Sequence, residues 1–98
     1  MIEKFFKLNL KRFLVLDYMY RANKDVCDEE IVKAIPNIHK ASIKKFLFEF
    51  TTDKITDRTI NNHFIISKYG RKVYEGIDKA LTELELAEST YEVKLHDN

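Results

Sequence analysis

The stretch "FIISKYGRKVYEG", residues 64–76, changes its periodicity midway. Phe64, Ile65 and Ile66 are strand formers, and Ser67 follows at once as a candidate helix N-cap. From there Val73, Ile77, Ala80, Leu81 and Leu84 fall on one stripe. The spacing predicts a helix over about 68–88, roughly 30 Å long at 1.5 Å per residue. Gly70 stands in its first turn, where glycine costs about 1 kcal/mol relative to alanine. That cost is acceptable where the helix must lie against neighbouring backbone as the chain turns sharply out of the strand.

Upstream, "KITDRTINNHFIIS" reads as a hairpin with strands near 55–60 and 63–67. Asn61-Asn62 suits its turn, because asparagine tolerates positive φ. Before it, Ile43, Phe46, Leu47 and Phe50 recur at i, i+3, i+4 and i+7, predicting a helix over 39–52. Ala41, Lys44, Lys45, Phe48 and Thr52 occupy its other face. A short helix is expected at about 28–35, capped by Asp28, favoured by Glu29 and Glu30, lined by Ile31, Ala34 and Ile35, and stopped by Pro36. An earlier helix is expected from Leu10 to Arg21, capped by Asn9, with Leu10, Phe13, Leu14, Val15, Tyr18 and Met19 on its apolar face. Alternation at Phe6, Leu8 and Leu10, and again at Tyr91, Val93 and Leu95, suggests short terminal strands.

Ninety-eight residues fit one domain, and two glycines with one proline favour a helical chain. No apolar run approaches the roughly 20 residues that span a bilayer, and no secretory leader is evident. The single cysteine, Cys27, excludes an internal disulfide and suits a reducing, cytoplasmic location. The net charge of +1 is unevenly spread. Residues 75–98 hold seven acids against two bases, leaving fifteen bases against nine acids in 1–74. A basic body with an acidic tail points to a polyanionic partner.

Helix, short helix, helix, hairpin and long helix is the layout of a winged helix-turn-helix. The expected fold class is therefore α+β, mostly helical, in one domain with a long C-terminal helix. "IHKASIKKFLFEFTTDKI" resembles the turn and recognition helix of MarR-like and PadR-like regulators, and "FIISKYGRKVYEGI" resembles the segment that leaves the wing in those families. In that pattern an apolar turn residue (Ile38) precedes small or polar residues (Ala41, Ser42) and core positions (Ile43, Leu47, Phe50). The usual glycine before the wing is absent, and Asp53-Lys54 stands there instead.

The resemblance implies a transcriptional regulator, a dimeric repressor whose partner is double-stranded DNA. Helix 39–52 would enter the major groove, presenting His39, Lys40, Ser42, Lys44 and Lys45. Arg58, Asn61 and Asn62 would serve the wing, and Lys68 and Arg71 would add phosphate contacts at the start of the last helix. Lys11 and Arg12 would assist less directly. Ile77, Leu81 and Leu84 form the expected homodimer surface, since a helix running past a small body needs cover. Phe48, on the polar face of helix 39–52, is a second dimerisation candidate. Two other roles fit the same elements: a centromere-binding partition protein resembling the winged-helix protein TubR, and a winged helix used only for protein contact. Chemistry is not expected. His39, His63 and His96 are widely spaced, no cysteine–histidine cluster has metal-site spacing, and no phosphate-cradling glycine loop occurs. The chain is therefore expected to need no metal or other cofactor and to be no enzyme.

Overall fold

The computed structural model describes the backbone of residues 10–96 and the side chains of residues 10–84. Four helices and one hairpin follow in order: α1 (Leu10–Ala22), α2 (Asp28–Ala34), α3 (Lys40–Thr52), β1 (Thr56–Arg58), a 3-10 turn (Ile60–Asn62), β2 (Phe64–Ile66) and α4 (Lys68–His96). The strands pair antiparallel with Thr56 opposite Ile66, Asp57 opposite Ile65 and Arg58 opposite Phe64. This is the expected winged-helix architecture.

Each helix end has a local cause. α1 stops where Asn23 takes a left-handed φ of 50° and donates its N–H to the Met19 carbonyl at 3.2 Å. α2 is capped at Cys27, not at Asp28, which is its first helical residue and accepts the Glu29 N–H at 2.8 Å. α3 ends in a Schellman motif. Lys54 N–H reaches the Thr51 carbonyl at 3.1 Å, and Ile55 N–H reaches the Phe50 carbonyl at 2.8 Å. Lys54 takes the left-handed φ of 64° that the missing glycine would have adopted freely. Because Ile55 closes α3, the first wing strand starts at Thr56, one residue later than its composition suggests. The turn confirms the asparagine reading: Asn61 and Asn62 have φ of 58° and 60°.

The core gathers one face from each helix and from β2: Val15, Leu16 and Met19 of α1, Ile31 of α2, Ile43, Phe46, Leu47 and Phe50 of α3, Ile66 of β2 and Tyr74 of α4. Val26 and Ile38 fill the connections. Burying each large side chain is worth about 1.5–3 kcal/mol. The apolar face expected of α1 needs correction. Leu10 is 70% exposed and Leu14 is also exposed, while Leu16, absent from that face, is fully buried. The reason is that α1 is packed by α2, α3, β2 and α4 together, so its covered surface is broader than one stripe.

α4 begins as its residues require. Ser67 Oγ accepts the Gly70 N–H at 2.9 Å and donates toward the carbonyls of Lys54 and Ile55 at 2.7 and 2.9 Å. A Cβ on Gly70 would lie 2.0 Å from the Ile55 carbonyl oxygen, so glycine is required by close approach and not by φ. Tyr74 then anchors the helix on α1. Its ring stacks between Phe13 and Tyr20, at 5.5 and 4.1 Å, and its hydroxyl donates to Asp17. Burial and that carboxylate push the Tyr74 phenol up to about 12. Beyond Tyr74 the helix runs to His96, past the expected end at 88 and through Tyr91, Val93 and Leu95, where a strand was expected. No proline or glycine after Gly76 interrupts propagation. The expected strand at Phe6 and Leu8, and Asn9 as a cap, lie outside the described residues.

Candidate nucleic-acid interface

α3 buries Ile43, Phe46, Leu47 and Phe50, which fixes what its other face presents. Lys40, Lys44, Lys45, Phe48 and Thr52 are exposed, Ser42 is half-buried, and His39 is the exposed N-cap residue. An open groove separates this face from the wing. Lys44, Phe48, Thr51 and Thr52 line one side, and Arg58 and Asn62 line the other. The Arg58 guanidinium donates to the Asn62 side-chain carbonyl, which orders the wing tip. Asn61 is exposed beside it.

The lysines are less available than their spacing implies. Lys40 Nζ lies 3.4 Å from Glu29 Oε1, and Lys44 Nζ lies 3.8 Å from Asp28 Oδ2. The acids that open α2 therefore face the cations that open α3. Both pairs are solvent-exposed on the lysine side and worth about 0–1 kcal/mol each, so a stronger polyanion can displace them. Lys45 is exposed, and its charge helps hold the Glu49 carboxyl below its usual range, after the larger effect of the hydrogen bond from Arg12.

Two cations singled out from sequence, Arg12 and Arg71, are employed inside the molecule. Arg12 donates to Glu49 from Nε at 2.9 Å and from a terminal nitrogen at 3.3 Å, with its guanidinium 4.8 Å from the Phe46 ring centre. It therefore ties α1 to α3. Arg71 is half-buried, donates to Asn23 and lies 5.0 Å from the ring centre of Tyr20, so it ties α4 to the end of α1. Arg21, on the outer side of α1, pairs with Asp17 at 3.1 Å. Lys68 is exposed at the first position of α4. Among the expected dimerisation residues, Phe48 is 72% exposed, and Leu81 and Leu84 are 42% and 47% exposed. Ile77 is corrected: it is 4% exposed, one turn beyond Tyr74 on the covered side of α4, and offers a partner nothing.

Two features escaped the sequence. Val26 forms an isolated bridge to β2, its N–H and carbonyl both bonded to Phe64 at 2.8 and 2.7 Å. Spacing along the chain offers no metal-ligand cluster, yet the fold brings ligand atoms of Cys27, Glu30 and His63 within 4.8 Å of one another. No helix among the described residues is long and apolar enough to cross a membrane.

No protein-family model matches the chain, and no curated protein matches it. Among solved structures it is similar to MepR, a transcription regulator of the Staphylococcus aureus multidrug efflux pump MepA, with a TM-score of 0.73 and 17% identity. The match covers 88% of this chain and 66% of MepR, a little under two thirds of that protein. Identity at this level carries the fold and leaves the chemistry of single side chains to be argued from this molecule. The chain has the winged helix-turn-helix fold, with the two-stranded wing and the long C-terminal helix both in place.

Proposed function

We propose that this chain is a DNA-binding transcription regulator, and that it acts as a dimeric repressor with α3 in the major groove. The observation that carries this reading is the α3 face itself. Lys40, Lys44 and Lys45 stand exposed on a helix anchored by its buried face, and Lys44 lines a groove shared with Arg58 and Asn62 of the wing. Lysines there meet phosphates, and the wing side chains reach the adjacent backbone or minor groove. The exposed part of the face offers no arginine, asparagine or glutamine, the side chains best suited to purine edges. Specificity would then lean on DNA shape and half-site spacing. The similarity to a transcription regulator supports the same class. Leu81 and Leu84, exposed on α4 beyond its anchored part, support a two-fold partner.

Two observations favour a second reading. Phe48 is 72% exposed in the middle of the face, and two of its lysines already have acidic partners. Both facts suit a winged helix that contacts protein instead of DNA.

Binding to a pool of random duplex DNA at two salt concentrations separates the readings. The wild type should bind with a log–log salt slope of roughly −0.9 per neutralised phosphate. The triple variant Lys40→Ala, Lys44→Ala, Lys45→Ala should lose most of that slope while keeping its melting temperature. Absence of low-salt binding by folded wild type would leave the protein-contact reading in place.

A further inference from the structure

We propose that Cys27, Glu30 and His63 form a zinc-binding site that ties the base of the wing to the start of α2. It rests on geometry alone and is independent of whether the α3 face binds DNA. The bridge between Val26 and Phe64 sets the register. Continuing that antiparallel register by one residue sets Cys27 opposite His63. Val26 and Phe64 exchange both backbone bonds, so Cys27 and His63 occupy a non-hydrogen-bonded position, where side chains approach most closely. Val26 is fully buried, so the alternation of an extended chain turns Cys27 away from the core, toward His63. α2 starts immediately, and Glu30 lies three residues on, one turn along the same side of the helix.

The donor atoms suit the ion. Cys27 Sγ and Glu30 Oε1 are 3.8 Å apart. A tetrahedral zinc with bonds of about 2.3 Å to sulfur and about 2.1 Å to oxygen sets those two ligands about 3.6 Å apart. The three donors already lie within 4.8 Å of one another, near the spacing that tetrahedral ligands take around one ion. The outer contacts orient two of them. The Glu30 carboxylate presents Oε2 to Lys24 Nζ at 3.8 Å, leaving Oε1 toward the thiol. His63 Nδ1 lies 3.1 Å from the Asn61 carbonyl, which can only accept, so Nδ1 carries the proton and Nε2 keeps the lone pair. A ligating histidine characteristically donates its other nitrogen in this way. All three side chains are half-buried, which limits competition from water while leaving an entry path. Zinc binding would release the Cys27 thiol proton to solvent, and thiolate plus carboxylate would neutralise the ion. Three protein ligands leave a fourth position open to water, the pattern of an exchangeable site and not of a closed structural one. Sulfur, imidazole and carboxylate together favour zinc over magnesium or calcium.

Cobalt(II) titration of the full chain, kept reduced, reads the site directly. One cobalt per chain is expected, with a sulfur-to-cobalt charge-transfer band and strong tetrahedral d–d bands that zinc abolishes on competition. Cys27→Ser should lose the charge-transfer band. His63→Gln and Glu30→Gln should each weaken cobalt and zinc affinity by at least about tenfold. Neither replaces a core residue, so both should keep the wild-type melting temperature without metal. A wild type without the charge-transfer band would overturn the proposal. So would His63→Gln binding cobalt as tightly as wild type, which would reduce the site to a lone thiol.

Discussion

Gly70 and Gly76 sit in the same helix and meet opposite surroundings. At Gly70 a methyl group would strike the Ile55 carbonyl oxygen at 2.0 Å, with Ile66 at 2.9 Å behind it. At Gly76 nothing lies within 4 Å of the same position. Around Gly70, α4 is held by the Ser67 cap, the Arg71 and Tyr74 contacts to α1 and the buried Ile77. Farther along, Leu81 and Leu84 are exposed. One continuous helix thus contains a segment fixed by tertiary contact and a segment whose apolar side chains, Leu81 and Leu84, stand exposed. Helical periodicity is the same in both, so periodicity cannot distinguish a core stripe from an interface stripe.

Substitutions can break this contrast, and the largest effect belongs at Gly70. Gly70→Ala should destabilise the chain by about 3 kcal/mol or more, because rigid backbone and not a flexible side chain stands in the way. Urea unfolding measures it, and a neutral result would remove the close-approach explanation. Tyr74→Phe comes next. It should cost about 2 kcal/mol near neutral pH by leaving Asp17 without the phenol donor.

The same substitution carries a pH signature. The folded-state Tyr74 phenol is raised from 10.0 to about 12, so the fold holds that proton more tightly than the unfolded chain does. Its contribution is therefore complete below about pH 10 and is lost as pH rises toward 12. The stability gap between wild type and Tyr74→Phe should narrow across that window, whereas a constant gap would mean the phenol titrates normally.

Gly76→Ala should move the other way. With open space around the site, alanine should stabilise the helix by about 1 kcal/mol. A loss on thermal unfolding would place a neighbour where none is seen. The smallest effect on the folded monomer belongs to Leu81→Ser with Leu84→Ser, about 0.5 kcal/mol or less. Sedimentation should nevertheless show the double variant monomeric at concentrations where wild type self-associates. A wild type that sediments as a monomer would sink the two-fold reading of that surface.

Most of the fold could be read from local pattern. The 40–52 helix was visible because four apolar residues share one face, and all four are buried. The wing turn was visible because two adjacent asparagines mark positive φ, and both adopt it. The start of α4 was visible because a strand, a serine cap and an early glycine occur in that order, and each has its expected partner. Less of the site was legible. The exposed lysines of α3 were located correctly, but their acidic neighbours on α2 were read as helix-capping charge alone. Arg12 and Arg71 were read as surface cations, whereas each spans two helices.

By itself the sequence determined the order of elements, the buried face of α3 and the wing turn. These depend on interactions between residues near in the chain, where side-chain spacing dictates which groups share a face. Tertiary structure alone decided that Ile77 is covered, that α1 is packed on several sides, that Lys40 and Lys44 meet Glu29 and Asp28, and that His63 faces Cys27 and Glu30. Those contacts join separate elements, and they follow from strand register and helix packing, which no local spacing encodes.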